Sequence, residues 1–136
     1  MLRVIYRWRV KAGEENVFIR AWTQGTAAIR AQVKGAGGSM LMRSRHDPSE
    51  FMALACWTSC ADWQAFAAHA SAPPDPEAFR AMAAVSEHLS TELLEEVADL
   101  LDCQELSAME DGSSQTGGGG LEMAPQLPTL ASDLLC

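Results

Sequence analysis

The sequence predicts an α+β fold in which helices cover one face of an antiparallel sheet. Residues 1–103 switch between two apolar spacings, every second residue as in strands and every third or fourth residue as in helices. These segments follow one another as strand, helix, strand, strand, helix, helix and strand, an order that forms an open sandwich when the helices lie on one side. The length of 136 residues provides for one such core and a tail.

The first strand and the first helix have the clearest patterns. Apolar side chains alternate with a mostly basic set along the strand over residues 2–10. Gly13 precedes Glu14 and Glu15, which suit a first helical turn because the helix dipole favours negative charge there. Gly35 ends the helix. Its apolar stripe consists of Phe18, Trp22, Ile29 and Val33.

Two short apolar runs, over residues 39–45 and 50–58, predict a hairpin. A turn composition separates them, His46-Asp47-Pro48-Ser49. The second run is apolar on both faces, with Phe51, Ala53, Ala55 and Trp57 on one and Met52, Leu54 and Cys56 on the other. A sheet covered on one side leaves its other face open, so we expect a homodimer that packs through this face. The alternative is that these side chains lie at the edges of one larger core.

Capping signals mark two further helices. Ser59 and Asp62 have capping-box spacing. The helix that follows carries Trp63, Phe66 and Ala67, with His69 near its end. A proline-rich segment then begins another helix, with Asp75 as N-cap and Pro76 at the first helical position. The predicted buried side of this helix is formed by Phe79, Met82, Ala83 and Val85.

The segment 91–102 fits a helix as well as a strand by its leucine spacing. We predict a strand, because the sheet needs a fourth member. Glu95 and Asp99 would share one face of it, and the neighbouring first strand carries Arg3, Arg7 and Arg9 on one face. The sequence therefore predicts cross-strand ion pairs between these two strands.

Charge and composition exclude several classes of function. The net charge is −8, and an acidic protein repels phosphate backbones, so nucleic-acid binding is not expected. No apolar run approaches the roughly 20 residues of a membrane span. Arginines interrupt the apolar N-terminus, unlike a signal peptide, which predicts a cytoplasmic protein. No metal site is expected, because no Cys-x-x-Cys pair or zinc-type histidine spacing accompanies Cys56, Cys60, Cys103 and Cys136.

The composition changes after residue 103. Residues 104–120 are acidic and glycine-rich, which predicts a flexible linker. Residues 121–136 regain apolar side chains, with Leu127, Leu130 and Leu134 at helical spacing. Two interpretations stand side by side, a peptide that docks on a protein partner and an inert extension.

Two stretches resemble a known family, the antibiotic biosynthesis monooxygenase superfamily. The first is Tyr6-Arg7-Trp8-Arg9-Val10-Lys11-Ala12-Gly13-Glu14-Glu15, with Phe18 and Trp22 after it. The second is Glu50-Phe51-Met52-Ala53-Leu54-Ala55-Cys56-Trp57-Thr58-Ser59, followed by Asp62-Trp63, Phe66 and His69. The resemblance covers residues 1–103. It implies a ferredoxin-like fold whose sheets pair into a dimeric α+β barrel.

The resemblance also implies a function. Some members of the superfamily oxygenate aromatic polyketides or quinols in a pocket between helices and sheet, without metal or flavin, so no cofactor is expected here. A small electron-rich aromatic would be the substrate. Tyr6 and His69 are the expected catalytic groups, with His69 suited to proton transfer. The expected substrate-binding residues are Trp8, Trp22, Trp57 and Phe66.

Other interpretations of the same residues remain open. Trp57 and Trp22 also suit ordinary core packing, and His69 also suits a helix end, where a cation favours the dipole. Another branch of the superfamily degrades haem, but Tyr6, Phe66 and Ala83 stand at the positions of its functional Asn, Trp and His. The second functional hypothesis is a non-catalytic small-molecule-binding or accessory domain, since fold outlives chemistry in many proteins.

Overall fold

The computed structural model describes residues 1–101, which form a four-stranded antiparallel sheet and three helices. The strands are β1 (Leu2–Val10), β2 (Ala36–Arg43), β3 (Glu50–Trp57) and β4 (Ser86–Glu95). The helices are α1 (Glu15–Gln32), α2 (Cys60–Ala67) and α3 (Pro76–Val85). The strand order is β2-β3-β1-β4, so β1 and β3 are central. This arrangement confirms the predicted ferredoxin-like α+β fold.

Local sequence signals set the helix boundaries. The Ser59 hydroxyl accepts a hydrogen bond from the backbone N–H of Asp62, and the Asp75 carboxylate accepts one from Ala78, each at 3.1 Å. Both caps were predicted. Gly35 has a φ of +85°, and a β-carbon there would collide with the Asp62 side chain. Glycine is therefore required in the tight connection between α1 and β2.

The hydrophobic core lies between the helices and one face of the sheet. Antiparallel register places Val4 opposite Ala55, and all four predicted inward residues of β3 are buried. The helices contribute Phe18, Ala21, Trp63, Ala78 and Met82 as buried residues. Helices α1 and α3 pack closely, because a β-carbon at Gly25 would lie only 3.1 Å from the Phe79 ring.

The last strand differs from its predicted bounds. β4 begins at Ser86 and ends at Glu95, while residues 96–101 belong to neither helix nor strand. Of the predicted strand over residues 91–102, only residues 91–95 are confirmed as strand. The helical interpretation of residues 91–95 is wrong. Helix α3 ends at Val85, so no turn residue marks the change from helix to strand.

Register also corrects the predicted ion pairs. Glu95 lies opposite Leu2, whose side chain faces the helices, whereas Arg3 faces the other side of the sheet. Arg3 forms an ion pair with Glu96, one residue later, with the carboxylate 2.5 Å from the guanidinium. Since strand side chains alternate, a shift of one residue moves a side chain to the opposite face. Arg9 pairs instead with Asp47 in the hairpin turn, at 3.3 Å.

The uncovered face of the sheet is rich in apolar side chains. Ile5 on β1 lies opposite Leu54 on β3, which lies opposite Met40 on β2. Met52 and Met42 form a second such row, and Met40 is 47% exposed. We call these five residues the outer sheet patch.

The predicted linker, 104–120, and the predicted tail, 121–136, lie outside the described residues. Within residues 1–101, no helix has both the length and the apolar character that a membrane crossing requires.

Candidate functional site

A cavity of about 120 Å³ lies between the two halves of the hydrophobic core. One half is built around Val4, Trp57 and Trp63, and the other around Phe18 and Phe51. Between them β1 presents Tyr6 and Trp8, which are only partly buried. The cavity therefore occupies the place where the core is incompletely filled.

The cavity wall is predominantly aromatic. Five of the six residues predicted for a site line it, namely Tyr6, Trp8, Trp22, Trp57 and Phe66. The Tyr6 and Trp8 rings stack with centroids 5.8 Å apart, and Trp57 lies 5.3 Å from Phe66. Phe79, Ile29 and Met82 add further apolar surface from the helices. Such a wall favours a planar apolar ligand.

Tyr6 supplies a polar group at this wall. Its phenolic oxygen accepts a hydrogen bond of 2.9 Å from the indole N–H of Trp63. Burial raises the pKa of Tyr6 above its ordinary value of 10.0, and the Trp63 hydrogen bond partly opposes that increase. The phenol is thus neutral at physiological pH, and its own proton is available as a hydrogen-bond donor.

His69, the sixth predicted residue, is not among the residues that line the cavity. It is exposed beyond the end of α2, and its Nδ1 lies 2.9 Å from the carbonyl oxygen of Ala65. This is the helix-end position that the alternative interpretation described. Its predicted catalytic role therefore stays a prediction.

His88 was not among the predicted site residues. The early start of β4 places it opposite Trp8, and its ring lies 6.2 Å from Trp8 and 6.5 Å from Tyr6. Its Nε2 is 2.8 Å from the Thr91 hydroxyl. Desolvation lowers the pKa of His88, opposed by a hydrogen bond to the Ser90 backbone. No turn residue precedes Ser86, so the sequence does not mark where α3 ends and β4 begins.

The cavity wall also contains three polar residues that were not predicted for the site, Thr26, Arg30 and Ser39. Thr26 and Arg30 follow Trp22 at intervals of four residues, so the helical stripe of α1 could have identified them. They were not predicted, because the stripe was defined by apolar side chains alone. Among the lining residues the ionisable groups are Tyr6, Arg30 and Cys56. Within residues 1–101, no three His, Cys, Asp or Glu side chains are close enough together to bind a metal ion.

Solved structures with the same fold include several monooxygenases. SnoaB, a cofactor-independent oxygenase from Streptomyces nogalater, is 20% identical, with 74% of this chain and 97% of that chain covered and a TM-score of 0.59. A proposed antibiotic biosynthesis monooxygenase from Caulobacter crescentus is 18% identical over 71% of this chain and 90% of that chain, with a TM-score of 0.60. At these identities the likeness concerns the fold.

Sequence comparison identifies the family. No curated protein matches the chain. The profile of the family described as antibiotic biosynthesis monooxygenase matches residues 1–85, which include β1, the hairpin and all three helices. This match covers more than half of the chain and includes every residue that lines the aromatic cavity. The chain therefore belongs to the antibiotic biosynthesis monooxygenase family.

Proposed function

We propose that the protein is a cofactor-independent monooxygenase that acts on a small electron-rich aromatic, such as a quinol. The observation that carries the proposal is the aromatic cavity with the neutral Tyr6 phenol in its wall. SnoaB, which shares the fold, is a cofactor-independent oxygenase, and this supports the same chemistry. An apolar cavity of about 150 Å³ holds one benzene ring, so the smaller cavity of about 120 Å³ has room for at most one ring, with the rest of the ligand towards the opening.

The proposed reaction draws all its electrons from the substrate. A quinol that has lost a phenolic proton transfers an electron to O₂, and the two radicals combine to form a C–O bond. Loss of water from the resulting hydroperoxide breaks the O–O bond. Quinol and O₂ thus yield a hydroxyquinone and water, with one oxygen atom in each product. Tyr6 would donate a hydrogen bond to the substrate oxyanion, and the apolar wall would exclude competing water.

We also propose that the protein is a homodimer that pairs through the outer sheet patch. Two copies of this patch would cover Leu54, Met52 and the exposed Met40 from water. The Arg3–Glu96 ion pair lies on the same face, where the two opposite charges compensate each other. A cytoplasmic location stays a prediction.

A second candidate function is a non-catalytic small-molecule-binding or accessory domain, recruited to a protein partner through residues 121–136. One observation favours it. The raised pKa of Tyr6 makes the phenol a poor base at neutral pH, and no histidine belongs to the lining of the cavity. Binding alone needs no base.

Oxygen uptake with a quinol distinguishes the two candidates. The purified protein is mixed with 1,4-naphthohydroquinone or an anthrone in the presence of a metal chelator, and uptake is compared with the uncatalysed rate. We expect uptake above that rate and conversion to the oxygenated product with one ¹⁸O atom from ¹⁸O₂. Thermal stabilisation by the same compounds without oxygen uptake would select the binding domain instead.

A further inference from the structure

The cavity opens into a groove between α1 and β2. Cavity and groove share five residues, Trp22, Thr26, Arg30, Gly38 and Ser39. Because these residues line both the cavity and the groove, they lie at the opening between the two. Arg30 is the only one of the five that carries a charge, so the opening is positively charged.

Backbone geometry in β2 makes room for this arginine. The register with β3 shifts between Ala36 and Ser39, and Gly38 has a φ of +101°. A β-carbon at Gly38 would lie 3.5 Å from Cδ, 3.6 Å from Nε and 3.8 Å from Cζ of Arg30. The side chain of Arg30 thus lies beside the backbone of the edge strand at Gly38, in space that a larger residue there would share.

Among the residues that the structure describes, no neighbouring acid neutralises the charge of Arg30. Within residues 1–101, no carboxylate lies within the 4.0 Å of an ion pair with this guanidinium. Its place in the last turn of α1 suits the helix dipole. That interaction explains a cation at this helix end but leaves the N–H donors of the guanidinium available for a ligand.

An anionic ligand would need a local positive charge, such as that of Arg30, to bind to this acidic protein. The net charge of −8 repels anions over the molecule as a whole. An aromatic ring in the cavity would place its substituents at the opening, beside Arg30. Guanidinium groups bind carboxylates through two parallel hydrogen bonds, which fixes orientation as well as charge.

We propose that Arg30 is a specificity-determining residue that selects aromatic acids, with the ring in the cavity and the carboxylate on the guanidinium. The inference rests on the proposed function for the nature of the ring, and extends it by naming the substrate class as quinols that carry a carboxylate. Arg30 orients the substrate and takes no part in electron transfer.

Binding of a matched ligand pair tests the proposal. The probes are 2,5-dihydroxybenzoate and 2,5-dihydroxybenzamide, which differ in charge and hardly in shape, and their Kd values are measured by titration calorimetry. We expect the acid to bind the wild-type protein about tenfold more tightly than the amide. The Arg30→Gln variant should lose that preference while its affinity for the amide stays unchanged. Arg30→Lys should retain part of it.

A charge-matched control and a separate readout complete the test. Lys34→Gln removes a nearby exposed cation outside the cavity wall and should leave both Kd values unchanged. Equal affinity for acid and amide, equal weakening of both by Arg30→Gln, or no binding of either at millimolar concentration would overturn the proposal. Oxygen uptake is measured independently, so acid-selective binding without uptake refutes the proposed monooxygenase and leaves the inference intact. Uptake with neutral quinols but no preference for the acid refutes the inference about Arg30 and leaves the proposed monooxygenase intact.

Discussion

The indole N–H of Trp63 donates a hydrogen bond to the phenolic oxygen of Tyr6, across 57 positions of the chain. The contact joins the buried side of α2 to the centre of β1, at the wall of the cavity. Because the phenolic oxygen is the acceptor, the Tyr6 proton remains available to a ligand. One hydrogen bond thus serves the stability of the fold and the orientation of a candidate functional group.

Tyr6→Phe should reduce both stability and activity. The variant leaves the indole N–H of the buried Trp63 without an acceptor, which costs about 1–3 kcal/mol in the free energy of unfolding. Loss of a donor to the substrate oxyanion should lower the rate of oxygen uptake by roughly 10²-fold. Chemical denaturation and oxygen uptake measure the two effects. In a cycle with Trp63→Phe, strictly additive free energies would show that the bond contributes nothing.

Tyr6 should also titrate above the ordinary tyrosine range. It is the only tyrosine in the sequence, so the phenolate absorbance near 295 nm reports this one group. Because the folded-state pKa is raised above 10.0, the stability linked to Tyr6 is fully present below pH 10 and is lost as pH rises through the folded value. We expect the absorbance step of the folded protein above that of the urea-unfolded protein. A coincident step in both states would contradict the burial argument.

His69→Ala tests the one predicted site residue that does not line the cavity. Proton transfer by a catalytic side chain contributes about 10²–10⁴-fold to a rate. We expect the variant to keep its oxygen uptake, because His69 is exposed and contacts a backbone carbonyl of its own helix region. His46→Ala, in the exposed hairpin turn, is the matched control. A hundredfold loss in His69→Ala alone would restore the catalytic role.

Leu54→Glu should produce a monomer if the outer sheet patch is the dimer interface. The substitution would bury two carboxylates, one from each copy, in an apolar interface, where unpaired charge is strongly unfavourable. Light scattering at micromolar concentration gives the mass. Ala65→Glu adds the same charge at an exposed site on α2 and should leave the dimer intact. A wild-type protein that is already monomeric contradicts the proposal without any variant.

Deletion of residues 107–136 should leave the fold intact. All seven elements and the cavity lie between Leu2 and Glu95, so the truncated protein retains every contact described for the core. Circular dichroism, light scattering and oxygen uptake should match those of the full chain, whereas co-purification of a docking partner should disappear. Unfolding of the truncated protein would mean that these residues belong to the core.

The sequence predicted those features that depend on short-range chemistry. The Ser59 and Asp75 caps, and the alternation that buries Val4, are read from neighbouring positions, and all are present in the structure. The bounds of β2 were missed because Gly37 and Gly38 have a turn composition, although they lie within an edge strand. Composition does not reveal that Ala36 already pairs with Trp57, ahead of a register shift that contains both glycines.

Apolar spacing placed Trp8 and Trp22 on the core faces of β1 and α1, and the family resemblance implied a pocket there. Both side chains line the cavity. Arg30 was left out because a polar side chain does not belong to an apolar stripe, and the position of His88 depends on a register shift in β4 that no periodicity encodes. The ion pair of Arg3 with an acid after β4 is present, but the acid is Glu96 and not Glu95, because successive side chains point to opposite faces.

Gly25 of α1 faces the ring of Phe79 on α3, and a β-carbon at position 25 would lie 3.1 Å from that ring. Phe79 also lines the cavity, so the absence of a side chain at position 25 affects the position of one part of the cavity wall. Any larger side chain at position 25 would raise or tilt α3 without contacting a ligand. Relatives with this fold could therefore differ in the size of the ligands they bind through substitutions at position 25, which contacts no ligand. The residues of the sheet that line the cavity would stay the same.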